Sequence, residues 1–178
     1  VGFKSRVGSD HLCGRCLDRP AAFDRARAAG IYDGSLRIAI HALKFKGRVP
    51  LAALLGKVLL DTLQRHWKAG DIDVVAPVPL HRRRLRQRGF NQAYLLVREW
   101  RQLAATLGGD QPAVQIDPHV LARNRRTAPQ SGLGRQERRA NLRKTMTVAA
   151  AQPIRGKHVL VVDDVYTTGA TADECART

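Results

Sequence analysis

The thirteen residues Val159-Leu160-Val161-Val162-Asp163-Asp164-Val165-Tyr166-Thr167-Thr168-Gly169-Ala170-Thr171 constrain this chain more than any other stretch. Four consecutive apolar residues read as a strand covered on both faces, the pattern of a parallel sheet packed between helices. Such a strand delivers Asp163 and Asp164 to the carboxyl edge of the sheet, where open α/β sheets bind ligands. A short Thr-Thr-Gly loop then enters a helix beginning near Ala170. Gly169 permits close backbone approach, and the amides at the helix start, with the hydroxyls of Thr167, Thr168 and Thr171, can surround a phosphate. Carboxylates accept hydrogen bonds from hydroxyls but repel a bare phosphate. Acids beside a phosphate cradle therefore suit a ligand that carries both a phosphate and a diol. A strand and capped helix without a ligand would leave the clustering of these residues unexplained. The magnesium strand of a P-loop NTPase needs Gly-x-x-x-x-Gly-Lys-Ser/Thr elsewhere. Lys57 and Lys157 each follow a glycine, but Val58 and His158 come next, so that motif is absent.

The rest of the chain alternates helices and strands. Ser35 to Leu43 and Leu51 to Leu63 have helical apolar spacing, with Gly47 stopping the first helix. Asp73 to Leu80 reads as a buried strand entering a proline-locked loop. Asn91 caps a third helix with an apolar face from Ala93 to Leu107. His119 to Ala122 and Thr145 to Ala149 read as short strands, and Arg123 to Arg143, without period, as a long mobile loop. The predicted fold is α/β with a central parallel sheet flanked by helices. Residues 1–30 form an amino-terminal tail and residues 31–178 one domain. About 20 residues remain once the last strand begins, where a parallel strand–helix–strand unit needs roughly 30. The expectation is therefore a final strand that is missing, or a shortened form of a longer protein.

The chain of 178 residues carries a net charge of +16, but unevenly. His81 to Arg101 holds seven arginines against one glutamate, and Arg123 to Lys144 holds seven arginines and a lysine against one glutamate. These two segments account for +13, leaving a near-ordinary domain. Basic segments of this kind bind phosphates, of nucleic acid or of a small ligand, unless they are only a solvated surface. Single-stranded DNA along Arg82–Arg88 and Arg123–Lys144 is one candidate partner. Aromatic residues make up only 5% of the chain, which argues against extensive base stacking. Trp67 and Trp100 read as core and His41 as a partly buried helix residue. For Asn91 and Gln92 a helix start and a site role are equally open. No apolar run is long enough for a membrane span, and no signal peptide opens the chain, so a cytoplasmic location is expected.

The 159–171 segment resembles the signature of type I phosphoribosyltransferases, which bind 5-phosphoribosyl-1-pyrophosphate (PRPP). Several blocks occur with it in order: Cys-Gly-Arg-Cys near the start, Ile-His-Ala-Leu-Lys-Phe-Lys-Gly-Arg at 40–48, Val-Pro-Leu-His at 78–81, Arg-Gly-Phe-Asn-Gln at 88–92, and the 123–141 segment. Together they resemble the ComF family of competence-associated bacterial proteins, over roughly residues 11–178.

The resemblance implies a phosphoribosyltransferase fold and a set of roles. Asp163 and Asp164 would hold the ribose hydroxyls and count as catalytic, with either one open as a general base for the acceptor. Thr167, Thr168, Gly169, Ala170 and Thr171 would cradle the 5-phosphate, with Val165 also among the PRPP-binding residues. Val78, Pro79, Leu80, His81 and Arg82 would form the pyrophosphate loop. The 123–141 loop would close over the pyrophosphate, with Arg126 and Arg135 as its catalytic arginines. A magnesium ion would accompany the pyrophosphate, with Asp163 reaching it only indirectly. Relatives often carry an amino-terminal four-cysteine zinc module. Here Cys13 and Cys16 have zinc-ligand spacing and His11 offers a third donor, but the second cysteine pair is absent, so two reduced thiols are the favoured reading over bound zinc. The implied activity is magnesium-dependent transfer of the phosphoribosyl group to an unidentified acceptor, linked to DNA uptake. The alternatives are a non-catalytic single-stranded-DNA-binding protein and a PRPP sensor.

Overall fold

A computed structural model describes residues 20–106, 114–124, 144–149 and 154–178. Asp33 starts helix α1 (Gly34–Lys46) by accepting the Gly34 N–H at 2.8 Å. Gly47, left-handed at φ 61°, ends it, and its N–H donates to the Ala42 carbonyl. Helix α2 (Leu51–His66) follows. Both helices run three residues beyond their expected ends. Strand β1 (Val74–Pro77) leads into a basic helix, α3 (Arg82–Arg88). No apolar period announced α3, because its side chains are not buried. The single helix expected from Asn91 is instead two, α4 (Gln92–Val97) and α5 (Trp100–Thr106), divided by a turn at Arg98-Glu99. Beyond the turn Trp100 faces inward, and its indole N–H donates to the Gly56 carbonyl at 3.0 Å.

Strand β2 (Gln115–Ile116), strand β3 (Leu121–Arg123), strand β4 (Met146–Val148) and strand β5 (Val159–Val162) precede the last helix, α6 (Ala170–Ala176). Among the described residues, β2, β1 and β5 form a parallel sheet in that order. In contrast, β3 and β4 pair antiparallel in a sheet of their own, so they do not extend the parallel sheet as strand-by-strand alternation suggested. Arg123 ends β3 rather than opening a loop. Residues 125–143, the rest of that expected loop, lie outside the described residues, as do Cys13, Cys16, Arg126 and Arg135.

The alternation of side chains along β1 divides the core. Val75 meets Ile40, Leu43, Leu55, Leu96 and Trp100 from the helices on one face. Val74 and Ala76 meet Val120, Leu121, Met146 and Cys175 on the other. Residues 20–27 also lie on the domain. The Ala22 N–H donates to the Asp173 carboxylate at 2.8 Å, and Arg25 sits 5.8 Å from the ring centre of Trp67.

What matters for the site is register. Val74 to Pro77 pair in step with Val159 to Val162, so the two central strands end side by side. The Val78 N–H then donates to the Val162 carbonyl at 2.9 Å. The turn after β1 and the acid pair after β5 therefore share one edge.

Candidate functional site

The two acids leave β5 together but meet different surroundings. Asp163 turns back on its neighbour, and its carboxylate accepts the Asp164 N–H at 2.8 Å. Burial, and then the adjacent Asp164 carboxylate, push the Asp163 carboxyl up to about 7. Asp164 is almost wholly buried at its side chain and has a counter-ion, Lys44 Nζ, 2.8 Å from Oδ2. The sequence suggested that residues 44–48 break the helix. Instead α1 continues through Lys46, and that extra turn carries Lys44 across the sheet edge. The signal for it was slight: a lysine directly after the buried Leu43, within the 40–48 block.

After Asp164, residues 165–169 turn into α6. Gly169 has φ 74°, a left-handed conformation that favours glycine. A Cβ there would lie 2.6 Å from the Tyr166 hydroxyl, so the tyrosine lies against the glycine backbone. The Thr168 hydroxyl accepts the Ala170 N–H at 3.4 Å. Thr167 is exposed, Thr168 and Thr171 are half-buried, and Ala170 is buried.

Opposite lies the turn after β1. Val78 and Pro79 are buried and Leu80 and His81 are half-buried, so this loop faces the edge through its backbone more than its side chains. The expected pyrophosphate loop ends one residue early. Arg82 is the first residue of α3, and His81 caps that helix, its Nδ1 accepting the Arg83 N–H at 3.2 Å. Asn91 starts its helix as the first alternative had it, and it also braces the loop after β1. Its Oδ1 caps α4 through the Ala93 N–H at 3.0 Å, and its Nδ2 donates to the Val78 carbonyl at 3.1 Å. Buried Gln92 accepts from Arg88 at 2.6 Å. The Arg-Gly-Phe-Asn-Gln block is thus the brace that holds the loop after β1.

These parts line one cleft of about 1460 Å³ together with Lys44, Arg84, Arg88 and Arg123. Burial, then the charge of Arg84, lowers the Arg123 guanidinium below its ordinary value. Burial likewise lowers that of Arg88, against the pull of Asp164. Cys175 beneath the site is buried, and desolvation followed by Asp163 pushes its thiol up to about 12, an unreactive group. Among the described residues no cluster of three or more His, Cys, Asp or Glu is placed to hold a metal. With Lys44 already on Asp164, the acid pair does not form a protein cage for magnesium. A magnesium ion there would have to be held chiefly by waters or by a bound ligand. Among the described residues no helix is long and apolar enough to cross a membrane.

Fold and site together define an α/β protein with a cleft of mixed charge at the carboxyl edge of its parallel sheet. The chain is 36% identical over 171 residues, 94% of its own length and 71% of the relative's, to DNA utilization protein YhgH of Escherichia coli O157:H7. It is 33% identical over 172 residues to Competence protein F of Haemophilus influenzae, covering 93% of this chain and 70% of that one. Competence protein ComFC of Bacillus subtilis matches at 23% over 151 residues, 85% of this chain and 56% of that one. The chain belongs to the ComF family. No family model and no solved structure matches it.

Proposed function

We propose that the cleft binds PRPP and transfers its phosphoribosyl group to an acceptor, in the service of the DNA utilisation and competence for which the relatives are named. One observation carries the proposal. The in-step ends of β1 and β5 put an acid pair, a turn entering a helix and a second loop on one edge, under basic side chains. Asp163 and Asp164 accept hydrogen bonds from the ribose hydroxyls, with Lys44 moderating the repulsion between the acids. Backbone amides and hydroxyls of residues 165–171 hold the 5-phosphate. The backbone after β1, with Arg84 and Arg123, faces the pyrophosphate. The C1–O bond to pyrophosphate breaks as the acceptor attacks, building positive charge on the ribose and negative charge on the leaving group, which the arginines stabilise. Magnesium, when bound with the pyrophosphate, supplies further charge neutralisation there. Asp163, with its carboxyl near neutrality, is suited to take the acceptor's proton.

The test is calorimetric titration of the protein with PRPP and magnesium, followed by measurement of pyrophosphate release with amines and nucleobases as acceptors. The double variant Asp163→Asn/Asp164→Asn should lose PRPP binding by tenfold or more. Wild-type protein that takes up no PRPP ends the proposal. A second reading, single-stranded DNA binding, is favoured by α3, where Arg82, Arg83 and Arg86 are all exposed on seven residues of helix. Such binding is salt-sensitive and indifferent to sequence. Fluorescence anisotropy of a labelled oligonucleotide across a salt series tests it, and absence of binding at low salt removes it.

A further inference from the structure

Few aromatic residues are present, yet several rings gather on one wall of the cleft. His41 and Phe45 stand one turn apart on α1, with ring centres 5.2 Å apart and planes tilted by 52°. Tyr32, just before the α1 cap, lies 6.4 Å from His41 at 32°. The Arg88 guanidinium sits 5.6 Å from the centre of the Phe45 ring and is held by Gln92 at 2.6 Å. Tyr32 packs against the core, which anchors the row. Phe45 does not, and is 68% exposed. An apolar ring left in water under a fixed cation has no use in the core. It offers a face to a planar ligand, and a flanking guanidinium strengthens such stacking.

Its position gives the row a direction. Phe45 directly follows Lys44, whose ammonium touches Asp164, and all of these groups line the same cleft. A flat ring resting on Phe45 would share that cleft with the acid pair.

We propose that Tyr32, His41 and Phe45, with Arg88, form a stacking site for a nucleobase, which presents a planar nitrogen heterocycle to the acids. Stacking itself is independent of the transferase reading; the role of that base as acceptor rests on it. The base can come from a free nucleobase or from a single strand, and the two sources are separable by experiment.

The experiment uses the full chain with three probes: free adenine by calorimetry, and by anisotropy a labelled oligodeoxythymidine and an abasic oligomer of the same length. Phe45→Ala should weaken adenine or oligodeoxythymidine binding about tenfold, about 1.4 kcal/mol, and Phe45→Trp should restore it. The salt dependence of oligomer binding should not change, because no phosphate contact is removed. An effect on adenine alone assigns a small-molecule base; an effect on the oligomer identifies a base in a strand. The site is refuted if wild-type protein binds neither base-bearing probe, if Phe45→Ala binds both as wild type does, or if it weakens the abasic oligomer equally. PRPP titrations of wild type and Phe45→Ala keep the two proposals apart. PRPP uptake unchanged by the variant, with base binding lost, supports both. Wild-type protein that ignores PRPP while Phe45 still governs base binding sinks the transferase alone.

Discussion

Replacing Asp163 by asparagine keeps the shape of the side chain and removes its charge. In the folded protein the carboxyl is pushed from an ordinary 3.8 up to about 7, by burial and then by Asp164. The folded state therefore holds this proton more tightly than the unfolded chain does. Its contribution to stability is complete below about pH 4 and is lost as the pH rises through about 7. At about 1.4 kcal/mol per pH unit, the shift sets a ceiling of about 4 kcal/mol. Relaxation of a half-buried edge group toward water reduces this to about 2 kcal/mol. Wild-type protein should lose that much from this one group between pH 4 and pH 8, and Asp163→Asn should not. The assay is urea unfolding followed by the fluorescence of Trp67 and Trp100, on both proteins, at intervals over that range. Taking the difference between the two cancels the titrating groups remote from Asp163 and leaves that carboxyl together with its coupled neighbour Asp164. The asparagine variant should gain about 2 kcal/mol on wild type across the range. A difference that stays flat with pH refutes the argument that Asp163 is charged at a cost at the sheet edge.

Other variants probe the same frame. Lys44→Met strands the buried Asp164 carboxylate and should cost about 2–3 kcal/mol in urea unfolding at pH 8. Lys44→Met/Asp164→Asn should recover at least about 1 kcal/mol of that loss, and simple additivity would show that the pair does not interact. Gly56→Ala puts a Cβ 2.3 Å from the Leu96 carbonyl oxygen, beneath the acceptor of the Trp100 indole N–H. Backbone cannot yield as a side chain can, so α2 and α4 must part, at about 2–3 kcal/mol in thermal or urea unfolding and with a shifted Trp emission. Unchanged stability would contradict that packing. Asn91→Ala removes both the α4 cap and the hold on the Val78 carbonyl, and should cost about 1–2 kcal/mol. If PRPP binds, its affinity should fall with it; a stability loss without any change in affinity would mean that Asn91 serves the helix alone.

Local chemistry made part of this protein legible from its residues. The apolar run Val159–Val162 forms a strand wherever a core is available. The acids that follow it must leave at its carboxyl end, and Gly169 supplies a backbone angle that other residues avoid. Gly47 and Asn91 end and begin helices by bonding within a few residues. Periodicity was weaker evidence. It continued through the turn at Arg98-Glu99, because apolar spacing does not register a short break. It was silent on α3, whose side chains are not buried, and on β2, which has only two residues.

The site divides along the same line. From sequence alone came the acid pair, the turn after it, the position of the basic segments and the family resemblance, all carried by neighbouring residues. Composition argued against base stacking, since it counts rings without saying where they go. Tertiary structure decided the rest. It set β1 and β5 in step, seated Lys44 on Asp164 and drew Asn91 to Val78. It also gathered Tyr32, His41 and Phe45 on one wall beneath Arg88. Each of these contacts joins elements whose relative placement is set by packing of the core, and pairing at that range leaves no pattern in the local order of residues.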